Sequence, residues 1–393
     1  MSQIPRAHLK KNEDRRQRIG HPWIFSNEIE RFDDSAEDGA LVDVYSQGGT
    51  FLGRGYLNRK SLIAIRVLTR EPEDVDREFF RNRIARAIEA RRPFAGEREA
   101  MRMVFSEADY LPGLVVDRYR DDLAVQITTL GMEKQRELIL DVLEDIFRPR
   151  SIVLRNDTNA RAQEDLPFER VVARGQYPGP EVLRDISLFV IADVLNGQKT
   201  GLYLDQSENR VILSDIVSDK KVLDCFCYNG SWGIEAVRQG AREAVLIDSS
   251  PRAIEMARRC AELNGALDKC SFVHENCFSY LSRLVVLGDV FDVVVLDPPG
   301  LVKSKRKMRA GVEIYERINT EAMRLVAPGG FLATCSCSHN VDRETFLSLL
   351  ARSARRAGRE AQIVSIRSQS RDHPILLPGR ISEYLKCVLL RLW

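Results

Sequence analysis

Side chains able to do chemistry recur in this sequence wherever an apolar run stops. Asp224 ends Val222-Leu223, Asp248 ends Ala244-Val245-Leu246-Ile247, Asn276 follows Cys270–His274, and Asp297 ends Phe291–Leu296. A fifth run, Leu332-Ala333-Thr334-Cys335, passes into Ser336-Cys337-Ser338-His339. Strands of an open parallel sheet bind ligands outside their carboxyl ends, so these residues would share one cleft. An acid after the second strand can accept hydrogen bonds from both hydroxyls of a ribose. The same Asp248-Ser249-Ser250-Pro251 also suits a helix start, which leaves capping as its plain alternative. Asn276 offers donor and acceptor to the edge of an adenine. Pro298 and Pro299 stiffen the turn that carries Asp297.

The cysteines divide into two C-x-C pairs, Cys225/Cys227 and Cys335/Cys337. Cysteine in a strand is ordinarily a small buried hydrophobe. At a strand end beside a cleft, a partly exposed thiol of lowered pKa becomes a nucleophile. The second pair has that position; the first lies in a loop where lining or packing is the expected role. That loop runs from Asp224 to Gly233 with glycines at 230 and 233, a strand–turn–helix sequence fit for a nucleotide-like ligand. It lacks G-x-G-x-x-G, which speaks against a nicotinamide or flavin enzyme.

The elements that must position these groups alternate from residue 181 onward. Strands are expected at Lys221–Cys225, Ala244–Asp248, Cys270–His274, Phe291–Leu296, Gly330–Cys335, Gln362–Ile366 and Tyr384–Leu392. Helices are expected at Ser231–Gln239, Pro251–Asn264, Cys277–Val286, Val312–Val326 and Val341–Arg356. This rhythm marks an α/β sheet covered on both faces. Upstream, residues 1–72 read as a β-barrel and 73–180 as a small α+β linking domain without a catalytic constellation. Gly175, Pro178, Gly179 and Pro180 punctuate the boundary before 181–393.

The chain has 393 residues, 44% hydrophobic and 30% charged, with no run of ~20 apolar residues. The segment Met1–Asp14 is polar, so a cytoplasmic protein is expected. Eight cysteines without a C-x-x-C pair imply neither a zinc site nor a disulfide framework, and no metal is expected. A net charge of +2 does not announce nucleic acid, and a basic run is usually a solvated face. Lys303, Lys305, Arg306 and Lys307 nevertheless follow Asp297-Pro298-Pro299 closely enough to grip phosphates beside the cleft.

The strand-end series Asp224–Gly233, Asp248, Asn276, Asp297-Pro298-Pro299 and Ser336-Cys337-Ser338 resembles the motifs of class I S-adenosylmethionine-dependent methyltransferases. Arg18–Ile29 and Phe51–Tyr56 resemble the opening of PUA domains attached to ribosomal RNA methyltransferases. Asn196–Gln206, Tyr315–Asn319 and Asp372-His373-Pro374 extend the likeness to the bacterial PUA-containing 23S ribosomal RNA cytosine-5 methyltransferases. The resemblance implies a PUA domain, a middle α+β domain and a Rossmann-like methyltransferase sheet. It implies S-adenosylmethionine as cofactor, held by Tyr203, Asp205, Gln206, Arg210, Asp224, Phe226, Tyr228, Gly230, Asp248, Ser249, Asn276, Cys277 and Asp297. Ribosomal RNA, 23S by the likeness, is the implied partner, without a membrane, and a homodimer is compatible with it. Two positions depart from the family: Asn276 stands where aspartate is common, and Ser207 where arginine is frequent.

Carbon 5 of cytosine is a poor nucleophile, so the implied chemistry begins with a thiolate adding to carbon 6. Asp297 would hold the N3/N4 edge of the base. The family's Ser-Cys-Ser pattern points to Cys337, whereas the Thr-Cys-Ser pattern of related enzymes points to Cys335. A guanine methyltransferase on the same fold needs no cysteine. A non-catalytic RNA-binding assembly factor needs none of the strand-end set.

Overall fold

The computed structural model describes residues 4–302 and 304–393. Two compact units emerge, one comprising Met1–Glu181, Ala192–Leu204 and Arg371–Ser382, the other Val182–Ile191, Asp205–Ser370 and Glu383–Trp393.

The first unit opens with β1 (Arg6–Leu9), β2 (Trp23–Phe25), β3 (Ile29–Phe32), β4 (Leu41–Tyr45), β5 (Phe51–Leu57) and β6 (Ile63–Thr69), in the order β2-β6-β5-β4-β1-β3. The alternation legible in β4 is real: Val42 and Val44 are buried with Ile24, Ile65 and Val67, while Asp43 turns outward to Arg54. Helix α1 (Arg77–Ala95) starts at Asp76, whose carboxylate accepts the Phe79 N–H at 3.0 Å. A second sheet follows, made of β7 (Ala100–Phe105), β8 (Leu114–Tyr119), β9 (Asp122–Ile127), β10 (Ser151–Asn156) and β11 (Glu169–Gly175). Helix α2 (Arg136–Phe147) covers it through Ile139, Leu140 and Leu143.

Residues 1–72 and 73–180 carry separate sheets, and Tyr56 of β5 packs in the core beneath α1 and α2. Its hydroxyl accepts from Thr129 Oγ1 at 2.9 Å and donates to the Pro112 carbonyl. Burying that ring couples the two sheets into one unit. Two later segments, 192–204 and 371–382, also belong to this unit. Segment 192–204 is pinned inside the first unit by Arg155, which donates to the carbonyls of Val194 (2.8 Å) and Gly197 (2.9 Å). Thr200 Oγ1 donates to Asp117 at 2.6 Å. Segment 371–382 is anchored by Asp372, which accepts from Arg102 N at 3.0 Å and pairs with Arg98 and His373.

The second unit carries the hairpin β12 (Glu181–Asp185)–β13 (Leu188–Ala192) and a seven-stranded sheet. Its strands are β14 (Lys221–Cys225), β15 (Glu243–Asp248), β16 (Cys270–His274), β17 (Phe291–Leu296), β18 (Val326–Ser336), β19 (Ala361–Arg367) and β20 (Lys386–Leu392), ordered β16-β15-β14-β17-β18-β20-β19. β14 to β18 pair in parallel, and β20 runs antiparallel to β18. Helices α3 (Ser231–Arg238), α4 (Pro251–Leu263), α5 (Cys277–Leu287), α6 (Met308–Leu325) and α7 (Arg343–Ala357) cover it. Every expected strand and helix of this region is present, with ends moved by a few residues. Val293–Leu296 is fully buried, as a strand covered on both faces must be. From β14 the chain goes outward to β15 and β16, then returns to the other side at β17. That reversal opens a crevice between the ends of β14 and β17, where Cys225 and Asp297 stand.

Candidate active site

The loop after β14 is bent by its backbone. Phe226 (φ 63°), Tyr228 (φ 50°) and Gly230 (φ 75°) all lie in the left-handed region. For the two non-glycine residues that costs about 1 kcal/mol or more each. A Cβ at Gly230 would come within 2.5 Å of Leu246 Cδ2, so glycine is required for position as well as for φ. Asp224 is fully buried beneath the loop, and one oxygen accepts the Gly233 N–H at 2.9 Å. Its other oxygen is buried without a hydrogen-bond partner among the described residues. Burial, against the Gly233 hydrogen bond and with the Asp297 and Asp248 charges, pushes its pKa up to about 8. An unfilled buried acceptor facing a cramped glycine loop suits a ligand bearing a donor or a positive charge.

Asp248 binds the loop from the neighbouring strand end. Its oxygens accept from Tyr228 N (3.0 Å) and Ser250 N (2.9 Å). Ser250, not Asp248, caps α4 by accepting from Ala253 N at 3.2 Å. The capping alternative for Asp248 therefore falls, and its half-exposed carboxylate keeps lone pairs for further donors. Ser249 beside it is exposed.

Asn276 does cap a helix. Its carbonyl oxygen accepts from Phe278 N (3.0 Å) and Ser279 N (3.4 Å), so the acceptor expected for a base edge is spent and the amide N–H donors remain. Cys277, expected in the cofactor set, turns its side chain to the loop. Its buried sulfur accepts from Phe226 N (3.3 Å) and donates to the Ile247 carbonyl (3.6 Å), bracing the loop from behind. The Arg210 guanidinium is buried against Asp185 at 2.7 Å. Asp205 is buried and accepts the Tyr384 hydroxyl at 2.6 Å. Tyr203 belongs to the first unit, with its hydroxyl on Gln198 at 2.6 Å and Lys199 over its ring.

Across the crevice, Gln206 is buried and orients Asp297. Its Nε2 donates to Asp297 Oδ2 at 3.0 Å while its Oε1 accepts from Asn209 at 2.7 Å, which fixes the amide. The two cysteines of β18 part company. Cys335 is fully buried opposite Cys387 of β20. Burial first, then a hydrogen bond and charge from Cys387, push its thiol well above the ordinary range. Cys337 lies one residue beyond the strand end, half-buried, with its sulfur 4.0 Å from the Pro298 carbonyl. A Cβ on Gly300 would sit 3.7 Å from that sulfur, so the Asp297-Pro298-Pro299-Gly300 turn and Cys337 border the same space.

Residues given no role by sequence reasoning hold this turn. Tyr315 hydrogen-bonds both Ser336 and Ser338 hydroxyls at 3.1 Å, and Ser338 Oγ accepts from Val302 N at 3.1 Å. Lys386 of β20 donates to the carbonyls of Ser338 and Tyr384, both at 2.8 Å. The signal was a lysine at the head of the apolar run Cys387–Leu390. In the basic run, Lys303 and the Lys305 side chain lie outside the described residues. Arg306 and Lys307 are exposed just before α6, whose first turn holds no acid.

Residues 7–70 match the family of PUA-like domains, and 181–367 match the family described as S-adenosylmethionine-dependent methyltransferase. Over 377 residues the chain is 40% identical to ribosomal RNA large subunit methyltransferase I of Aeromonas salmonicida, covering 94% of this chain and 95% of that protein. The protein of the same name from Tolumonas auensis is 36% identical, covering 98% of each. This chain belongs to the ribosomal RNA large subunit methyltransferase I family. As a family member it is an S-adenosylmethionine-dependent methyltransferase. A solved structure from Streptococcus mutans, described as an S-adenosylmethionine-dependent methyltransferase, shares the fold with a TM-score of 0.85 at 17% identity, covering 99% of this chain and all of that one. Among the described residues no helix is long and apolar enough to cross a membrane.

Proposed function

We propose that the protein methylates carbon 5 of a cytosine in 23S ribosomal RNA, with Cys337 as nucleophile and Asp297 as the base-holding acid. One observation carries this reading: of the two cysteines ending β18, Cys335 is fully buried against Cys387, whereas Cys337 is only half-buried and its sulfur borders the Pro298–Gly300 turn. A guanine methyltransferase would have no use for a thiol there. The names of the relatives support ribosomal RNA of the large subunit as the substrate.

S-adenosylmethionine fits the residues after β14 and β15. Asp224 and the Phe226–Gly230 loop would take the amino-acid end, Asp248 and exposed Ser249 the ribose, and the Asn276 amide the adenine edge. When bound it supplies an electrophilic methyl group on a sulfonium. The chain's own residues do the rest. The Cys337 thiolate adds to carbon 6, which makes carbon 5 nucleophilic, and leaves when the carbon 5 proton is lost. Asp297, held by Gln206, meets the N3/N4 edge and steadies the protonated adduct. The target base must leave its stack to reach this turn, at a cost of about a few kcal/mol.

Arg306 and Lys307 crowd positive charge at a helix N-terminus, where the macrodipole disfavours it. With Lys303 and Lys305 they make a phosphate grip for the flanking RNA, giving salt-sensitive binding. A cytoplasmic setting agrees with cysteines that are all free. For the expected homodimer, the exposed edge strand β19 with Ile363 and Val364 is the surface to probe by light scattering. The deciding experiment maps 5-methylcytosine in the host's 23S ribosomal RNA with and without the gene. A 5-fluorocytosine-containing RNA should trap a covalent adduct in wild type and not in Cys337→Ala. Unchanged methylation maps would sink the assignment.

A further inference from the structure

A nucleophilic cysteine needs its thiolate at working pH, and a free thiol titrates near 8.5. Nothing on β18 itself supplies a counter-charge: Ser336 and Ser338 flank Cys337 with neutral hydroxyls committed to Tyr315. The charge comes from β20. Lys386 pairs with Ser336 in the strand register, and its Nζ reaches the Ser338 carbonyl at 2.8 Å. The lysine side chain therefore spans the Ser336-Cys337-Ser338 segment from one side.

The ammonium is also unusually placed for a buried cation. Lys386 is 3% exposed, and its two hydrogen bonds go to neutral main-chain carbonyls. Among the described residues no carboxylate lies within ion-pair distance of it. A buried charge without a partner is costly, and such lysines are normally paired or absent. Burial lowers its pKa to about 8, and the group that most opposes this is Cys337, ahead of Glu383 and Asp342. Those two carboxylates have other duties. Glu383 binds Arg343 at 2.8 Å, and Asp342 caps α7 by accepting Thr345 N at 2.7 Å. His339 stacks on Tyr384 (ring centroids 5.3 Å apart), and desolvation followed by the Lys386 charge lowers its pKa. Tyr384 gives its hydroxyl to Asp205, and the Tyr315 phenol is raised by burial, so neither is a competing anion. Among the described residues, Cys337 is the group whose charge most offsets the burial of Lys386.

We propose that Lys386 is a positioning residue that keeps Cys337 in the thiolate form. This deepens, and rests on, the reading of Cys337 as the attacking group. Lys386 is already the ammonium, so the Cys337 thiol gives its proton to solvent and the thiolate left behind pairs with that ammonium. The ammonium's hold on the Ser338 carbonyl fixes it beside the turn. No bond to the RNA is made or broken by the lysine.

The test is the pH profile of Cys337 alkylation by iodoacetamide, read by peptide mapping in the full-length protein at pH 6–10. Wild-type Cys337 is expected to react with a midpoint below 8.5. Lys386→Met should move the midpoint up by one unit or more, which is about tenfold slower alkylation at neutral pH. Lys386→Arg should restore most of the reactivity, because a guanidinium keeps its charge throughout. Methyl transfer should fall in kcat in Lys386→Met with S-adenosylmethionine affinity unchanged. A purely structural brace would lower stability and leave the Cys337 profile where it was; superimposable wild-type and Lys386→Met profiles overturn the proposal. Should Lys386→Met fold poorly, the wild-type profile still decides, since a midpoint at or above 8.5 overturns it too. Failure of the nucleophile reading is seen separately, as activity retained in Cys337→Ala whatever the alkylation profile.

Discussion

Two strand ends in the same sheet carry the same C-x-C spacing and have opposite fates. At β14, Cys225 and Cys227 are both buried, and burial pushes both thiols well above their ordinary range. They sit beneath a loop whose backbone, through Phe226, Tyr228 and Gly230, does the shaping. At β18, the first cysteine is buried in the same way, but the strand stops at Ser336 and the second cysteine emerges beside the Asp297 turn. In both pairs the second cysteine lies beyond its strand; what differs is that Cys227 stays buried in the loop while Cys337 is half-buried beside the Asp297 turn.

That contrast can be broken most decisively at Cys337. Cys337→Ala should reduce methyl transfer by on the order of a thousandfold or more, as removal of a covalent nucleophile does. Cys335→Ala should retain activity within a few-fold and lose roughly 1–2 kcal/mol of stability by urea titration, the effect of a small buried cavity. Equal activity loss in both variants would erase the distinction between them. Next in size comes the base-holding pair. Gln206→Ala frees Asp297 from its fixed amide and should lower kcat by about ten- to a hundredfold with a smaller change in RNA KM, measured under saturating S-adenosylmethionine.

On the β14 side the effects should be on stability and cofactor affinity. Gly230→Ala meets Leu246 in a left-handed conformation and should cost about 2–3 kcal/mol, seen in thermal unfolding together with weaker S-adenosylmethionine binding in calorimetry. The smallest expected effect on stability is Asp224→Asn, because the buried carboxyl's pKa is raised to about 8 in the unliganded protein. Its folded pKa of about 8 lies above the unfolded value of 3.8, so its favourable contribution is full below pH 3.8. The contribution is lost as pH rises through 8. Wild type should thus lose stability relative to Asp224→Asn between pH 5 and pH 8, and a constant difference would show that the carboxyl is ionised.

A different acid sharpens the point from the first unit. Burial alone would raise Asp372, but His373, its hydrogen bond and Arg98 hold its pKa down to about 2. Its contribution is present above pH 3.8 and lost as pH falls toward 2. The Asp372-His373-Pro374 motif, part of the family likeness, is thus an anchor for residues 371–382. Likeness of sequence marked the residues without telling which of them touch substrate.

The apolar runs of the second unit announce their strands because a parallel strand covered on both faces must be continuously hydrophobic, and the acids at their ends could be placed by counting. Asp224, Asp248, Asp297 and Cys337 were legible in that way. Other roles needed the fold. Arg210 and Cys277 have the residue types of a binding site, yet their side chains close on Asp185 and on the Ile247 carbonyl. Lys386 and Tyr315 stand about 50 and 20 residues from the cysteine they surround, and only the pairing of β20 with β18 and the packing of α6 bring them there. By itself the sequence determined the kind of sheet, the family, the cofactor class and a choice between two sulfurs. Which side chains are spent on the protein and which face the cleft was decided by tertiary structure, because a side chain's partners are set by neighbours distant in sequence. Burial and charge at a point in space have no counterpart in spacing along a chain.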